Sequence, residues 1–201
     1  MQHVYETCRV SHLAVAGFWC ISGSATATPL DGVTGSSCPE GSYCPTGTPA
    51  PVPCPAGTWS NSTGLAAESD CLPCTGGYYC DGTGLTAPSG PCSPMYYCSG
   101  NASSATPQDG GVTGDPCTRA HYCPEGTASP IPCPDGTYTT VTHTEECLDC
   151  TPGYYCVTGD TPEPCPAGYY CPLGTGYVWE SCPAGTFSDM TGKAVYIIYP
   201  A

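Results

Sequence analysis

Two C-x2-C motifs, Cys71 with Cys74 and Cys147 with Cys150, are the residues whose type and spacing most directly invite chemistry. Tetrahedral zinc is held by such thiolate pairs when they lie about 15 to 20 residues apart. These two start 76 positions apart, and the other cysteines fall at spacings that a zinc knuckle does not use. No metal is expected. The same motif serves thiol–disulfide exchange when it opens a helix, and no helical periodicity follows either pair. Nucleophilic catalysis needs a base beside the nucleophile. The four histidines are His3, His12, His121 and His143, and His121 occupies a position held by Ser42 in an earlier block of the same pattern. The chain therefore reads as non-enzymatic, with no catalytic, metal or cofactor-binding residue.

Oxygen-ligated calcium is the remaining metal to weigh, because acidic extracellular modules bind it through clustered carboxylates and carbonyls. No EF-hand loop is present, and Asp31, Asp81, Asp109 and Asp135 each stand beside glycine, where aspartate forms turns. Two sequons, Asn61-Ser62-Thr63 and Asn101-Ala102-Ser103, fall in long inter-cysteine stretches and are candidate N-glycosylation sites.

The elements that must position these groups are set by composition. Glycine (26) and proline (24) make up about a quarter of the 201 residues, which alone would suggest disorder. Nineteen cysteines overturn that reading. They place the chain among disulfide scaffolds, where cross-links supply the stability that a thin apolar core cannot. The formal net charge is −14, with three basic residues, Arg9, Arg119 and Lys193. Nucleic acid needs clustered Lys and Arg, so it is excluded as a partner. No apolar run approaches the roughly 20 residues of a membrane helix, and no signal peptide is evident in the apolar stretch from His12 to Cys20.

Cysteine spacing also shows a repeat. Cys38 to Cys80 and Cys117 to Cys156 both follow C-x5-C, nine residues, C-P-x-G-T, a longer loop, then C-x2-C-x5-C. A third copy begins at Cys165 and stops short. An extra C-x5-C pair, Cys92 and Cys98, follows the first block, and the stretches after Cys20 and Cys98 share the same S-G…A-T-P-x-D-G…V-T-G linker. The expected divisions are an atypical flank (1–16), the end of a preceding repeat with its linker (17–37), a first repeat with the extra pair (38–98), a linker (99–116), a second repeat (117–156), a truncated third (165–190) and an atypical tail (191–201). Gly-x-Tyr or Gly-Tyr-Tyr before a cysteine suits a turn feeding a strand of two or three residues. The expected fold is small and disulfide-rich: an elongated tandem array of cysteine-rich modules with short two-stranded β pieces and little or no helix. Fifteen tyrosines against two phenylalanines fit rings that cover disulfides with wet hydroxyls, and a carbohydrate-stacking platform is the functional alternative.

CPAGTWS at Cys54, CPDGTYT at Cys133 and CPAGTFS at Cys182, with CLPCTGGYYC from Cys71 and CLDCTPGYYC from Cys147, resemble tandem ephrin-receptor-like cysteine-rich repeats. These are related to the growth-factor-receptor cysteine-rich superfamily and, more distantly, to tumour-necrosis-factor-receptor modules. The resemblance spans about residues 17 to 190 and implies a secreted or membrane-protein ectodomain location, neighbouring repeats, and a protein or glycan ligand. It also implies pairing of Cys54 with Cys71 and of Cys133 with Cys147. For the rest, the simplest rule closes each C-x5-C on itself: Cys38 with Cys44, Cys74 with Cys80, Cys92 with Cys98, Cys117 with Cys123, Cys150 with Cys156 and Cys165 with Cys171. An interlaced scheme, Cys150 with Cys165 and Cys156 with Cys171, is the open competitor. Cys182, Cys20 and Cys8 are left without a settled partner, because Ala14 fills the slot six residues before Cys20 and no cysteine follows Cys182.

Both ends read as cut, with non-native flanks replacing part of a longer array. The functional reading is an extracellular structural or adhesive segment of a larger modular protein. The alternatives are the ligand-binding stalk of a cell-surface receptor and, further off, a small secreted disulfide-rich effector or inhibitor.

Overall fold

The computed structural model describes residues 14–21, 23–157, 159, 161–188, 190–195 and 197–198. Among them the chain is a file of ten antiparallel hairpins, each made of two strands adjacent in sequence. Hairpin 1 pairs β1 (Phe18–Cys20) with β2 (Gly35–Ser37), hairpin 2 pairs β3 (Ser42–Tyr43) with β4 (Val52–Pro53), and hairpin 3 pairs β5 (Thr58–Trp59) with β6 (Leu72–Pro73). Hairpin 4 follows with β7 (Tyr78–Tyr79) and β8 (Gly90–Pro91), hairpin 5 with β9 (Tyr96–Cys98) and β10 (Gly114–Pro116), and hairpin 6 with β11 (His121–Tyr122) and β12 (Ile131–Pro132). Hairpin 7 is β13 (Thr137–Tyr138) with β14 (Leu148–Asp149), and hairpin 8 is β15 (Tyr154–Tyr155) with β16 (Glu163–Pro164). Hairpin 9 is β17 (Tyr169–Tyr170) with β18 (Glu180–Ser181), and hairpin 10 is β19 (Thr186–Phe187) with β20 (Ile197–Ile198). The only helical piece described is one 3-10 turn, Glu68–Asp70. No helix among the described residues is long and apolar enough to cross a membrane.

One short sequence builds every hairpin. A cysteine, or Ala14 in hairpin 1, is followed by a tight turn whose third residue is left-handed, and the first strand begins there. In C-P-x-G-T the turn runs from proline to threonine, as in Pro55 to Thr58, where the Thr58 amide donates to the Pro55 carbonyl at 3.1 Å. Gly57 at the third position has φ +87, the glycine site of a type II turn. The threonine hydroxyl reinforces it: Thr58, Thr137 and Thr186 each donate Oγ1 to the proline carbonyl three residues back, at 2.7 Å. This explains why proline, glycine and threonine recur together after the cysteine.

The core is sulfur. Of the 19 buried apolar residues among those described, 16 are cysteines, and the others are Ala14, Leu65 and Ala102. Neighbouring hairpins are joined by backbone bonds in a repeated scheme. The left-handed residue donates its N–H to the next hairpin, as Gly41 does to the Ser60 carbonyl at 2.8 Å and Gly77 to Cys98 at 2.8 Å. The residue six positions after the opening one also donates forward, as Cys44 does to Leu65 at 2.9 Å. A third bond runs back, from a turn residue of the next hairpin to the opening cysteine, as from Gly64 to the Cys38 carbonyl at 2.7 Å. Each repeat thus leans on its neighbours, the one-dimensional arrangement of a tandem array.

The structure divides the chain more finely than the cysteine blocks suggest. Residues 17–37 and 99–116, expected to include linkers, lie within hairpins 1 and 5, whose connecting loops are simply long. Residues 191–201, expected to be an atypical tail, contribute β20. Hairpins 5 to 8 repeat the features of hairpins 1 to 4, while hairpin 9 matches the short-looped hairpins 2 and 6.

Candidate functional site: the disulfide spine and its aromatic row

The spine contains eight disulfides between described residues. Six close a C-x5-C on itself, namely Cys38–Cys44, Cys74–Cys80, Cys92–Cys98, Cys117–Cys123, Cys150–Cys156 and Cys165–Cys171. Cys54–Cys71 and Cys133–Cys147 close longer loops across hairpins 3 and 7. Each C-x2-C is therefore split between two bridges. The reason for the longer bridges lies in one substitution that spacing alone does not expose. In hairpins 3, 7 and 10 the second cysteine of C-x5-C is replaced by Ser60, Thr139 and Ser188, all buried. Their hydroxyls turn to local carbonyls, Thr139 Oγ1 to Val141 at 3.2 Å and Ser188 Oγ to Met190 at 3.0 Å. Cys54 and Cys133, deprived of the near partner, reach Cys71 and Cys147.

Cys182 opens hairpin 10, faces Ser188 in the same way, and is a free, half-buried thiol. Hairpin 10 pairs Phe187 with Ile197 as Trp59 pairs with Leu72 and Tyr138 with Leu148, and where cysteine precedes Leu72 and Leu148 in the sequence, tyrosine precedes Ile197. Cys20, for which the sequence leaves open a bridge or a free thiol, is disulfide-bonded. Cys8 lies outside the described residues. Ala14, fully buried, fills the position that a cysteine holds in the other hairpins.

The second residue of every first strand is aromatic: Trp19, Tyr43, Trp59, Tyr79, Tyr97, Tyr122, Tyr138, Tyr155, Tyr170 and Phe187. The first nine are half-buried and Phe187 is exposed. Tyr43 packs against the cluster of Cys54, Leu65 and Cys71, and Tyr79 against Cys92, Cys98 and Ala102. A ring thus covers the bridge of the following hairpin while its hydroxyl stays near water, as Tyr43 shows by donating to Glu68 Oε2 at 3.3 Å. Loss of solvent, then the Glu68 carboxylate, push the Tyr43 hydroxyl above its usual range. Alternation of the strand sends the preceding position to the other face, where Tyr78, Tyr154 and Tyr169 are exposed. Trp179, which the sequence does not single out, packs between Tyr155 and Tyr169, with ring centroids at 5.0 and 5.6 Å. Tyr170 donates its hydroxyl to Glu180 across hairpin 9.

The four turn aspartates use their carboxylates within the protein. Asp31 Oδ1 accepts the amides of Val33 at 3.0 Å and Thr34 at 2.8 Å, and Asp109 accepts the Thr113 amide and its hydroxyl, the latter at 2.6 Å. Asp81 accepts the Ser89 hydroxyl at 2.6 Å, and Asp135 takes the amide of Tyr177, two hairpins away, at 2.9 Å. His121 and His143 are on separate hairpins, and His3 and His12 lie outside the described residues. Asn61 and Asn101 are both exposed.

Hydrogen bonds from Thr34 hold the Asp31 carboxyl below its usual range, and those from Thr113 do the same for Asp109. A depressed folded-state value makes each contribute order above the unfolded value of ~3.9, and that contribution is lost as pH falls through the lowered value. On acidification below about pH 4 the amides of Thr34 and Thr113 are expected to lose hydrogen-exchange protection before those of the strands. Uniform loss along the chain would contradict this.

No protein-family model matches this chain, and no curated protein matches it.

Proposed function

We propose that this protein is a non-enzymatic, extracellular array of ephrin-receptor-like cysteine-rich hairpins with a structural or adhesive role, holding other parts of an assembly apart or presenting a surface. The observation that carries the reading is that 16 of the 19 buried apolar residues among those described are cysteines. A core of this kind persists only where thiols are oxidised, as outside the cell or in the secretory pathway. The resemblance of the C-P-x-G-T and C-x2-C-x5-C segments to receptor-type modules supports the same location. Asn61 and Asn101, exposed in loops of hairpins 3 and 5, are the proposed glycan sites. The exposed tyrosines Tyr78, Tyr154 and Tyr169 favour a second reading, the ligand-contacting stalk of a cell-surface receptor, with a protein or glycan as partner.

The test is expression of residues 1–201 behind a secretion signal, compared with expression in a reducing cytosol. Secreted protein is expected to be soluble, to show one reactive thiol at Cys182 after denaturation, and to lose mass on glycosidase treatment. A folded cytosolic product with all thiols titratable would overturn the extracellular reading. For the second reading, changing Tyr78, Tyr154 and Tyr169 to Ser should abolish cell-surface binding and leave the fold intact.

A further inference from the structure

The hairpins touch not only their neighbours but the next ones along, and there glycine is required. The left-handed residue that opens one hairpin backs onto a second left-handed residue, in the loop two hairpins further. A Cβ on Gly41 would lie 2.2 Å from the Gly84 carbonyl oxygen, on Gly77 2.3 Å from that of Gly126, and on Gly136 2.2 Å from that of Gly174. Two hairpins break the rule: Met95 (φ +73) opens hairpin 5 and Ala120 (φ +62) opens hairpin 6.

Their consequences differ. Met95 faces His143, four residues beyond Thr139, and every rung nearby is made: Met95 to Cys123 at 2.8 Å and His143 to Cys117 at 3.0 Å. Ala120 faces Gly159, which lies only three residues beyond Cys156, so this loop has one residue fewer with which to step back. There the ladder is disturbed at three places. The Ala120 amide reaches the Thr139 carbonyl at 3.4 Å, against 2.8–3.1 Å for the equivalent bonds elsewhere. Among the described residues the Gly159 amide donates no back-bond to the Cys133 carbonyl, although the other eight junctions have theirs. Thr139 donates to Gly159 itself, whereas the equivalent bonds in the other hairpins end on the residue after the left-handed one, as Cys156 does on Thr175. A Cβ on Gly159 would stand 2.9 Å from the Ala120 oxygen, where the equivalent Cβ on Gly84, Gly126 or Gly192 stands 3.7–3.9 Å from its counterpart.

From these departures we infer that the array carries a built-in compliant joint across hairpins 6 to 8, set by the side chain of Ala120 against the short loop that ends in Gly159. A non-glycine residue meets a short facing loop at this one place among the described hairpins. The lost rung lowers the cost of opening there, so hairpins 1–6 and 8–10 swing relative to each other. This is a property of the backbone ladder and holds whatever the compartment or ligand.

Ala120→Gly restores the rule without touching a cysteine. Spin labels carried on non-cysteine unnatural residues at the exposed positions Val33 and Val178 report the distance distribution across the joint. The expected result is a narrower distribution in Ala120→Gly and exchange at the Gly159 amide slowed about tenfold by the restored bond to the Cys133 carbonyl. Conversely, Gly77→Ala, which faces the equally short loop at Gly126, should broaden the distribution. An unchanged distribution in Ala120→Gly, whatever happens to exchange, overturns the joint, and if Gly77→Ala fails to fold the first variant decides alone.

Discussion

Reduction of the native protein with a phosphine is expected to abolish the fold, with complete loss of the tyrosine near-ultraviolet dichroism and a large rise in hydrodynamic radius. The apolar core is almost wholly disulfide, and the two-residue strands have little cohesion of their own. Closing the loops with six-residue separation contributes roughly 2 kcal/mol each in the chain-entropy account, and the 17- and 14-residue ones about 3 kcal/mol each. Eight such bridges together exceed the ~5–15 kcal/mol that an ordinary domain has to lose. Retention of the near-ultraviolet signal after all bridges are open would show that the backbone ladder suffices alone.

The second large effect belongs to Gly136→Ala, measured against Gly168→Ala as its control. Both glycines are left-handed, with φ +83 and +86, so both substitutions incur the ~1–2 kcal/mol of that conformation. Around Gly168 a Cβ meets nothing within 4 Å, whereas on Gly136 it lies 2.2 Å from the Gly174 oxygen and 3.0 Å from its carbonyl carbon. Hairpin 9 must retreat, and the bond from Gly174 to the Cys150 carbonyl is expected to break with it. Gly136→Ala should cost about 3–4 kcal/mol and Gly168→Ala about 1–2, read from thermal unfolding with exchange at the Gly174 amide as the local probe. Equal losses in the two variants would show that the contact two hairpins away has no energetic weight.

Much of this architecture is legible in the residues because it is local. A C-x5-C that holds a turn and a two-residue strand returns its second sulfur to the first, so six bridges depend on seven residues each. The Pro-x-Gly-Thr turn is likewise written in adjacent positions, down to the threonine hydroxyl on the proline carbonyl. The hairpin itself was hidden. Blocks defined by cysteine spacing conceal it, because hairpins 3, 7 and 10 exchange the second cysteine for Ser60, Thr139 and Ser188, small buried residues that resemble the rest of a polar loop. Aligning the ten aromatic positions would have revealed the true period, since Trp, Tyr or Phe stands there every time.

The amino-acid sequence by itself determined the class of protein: too little aliphatic surface for a conventional core, cysteines enough to replace it, and glycine and proline so frequent that only short strands form. Tertiary structure decided how the hairpins stack. Those contacts are made by backbone amides and carbonyls, which every residue carries and no residue type announces, and they depend on how closely two chains approach. Why Gly136 cannot be alanine while Ala120 stands in the same slot is therefore visible only in three dimensions, where the loop two hairpins away either crowds the position or is displaced by it.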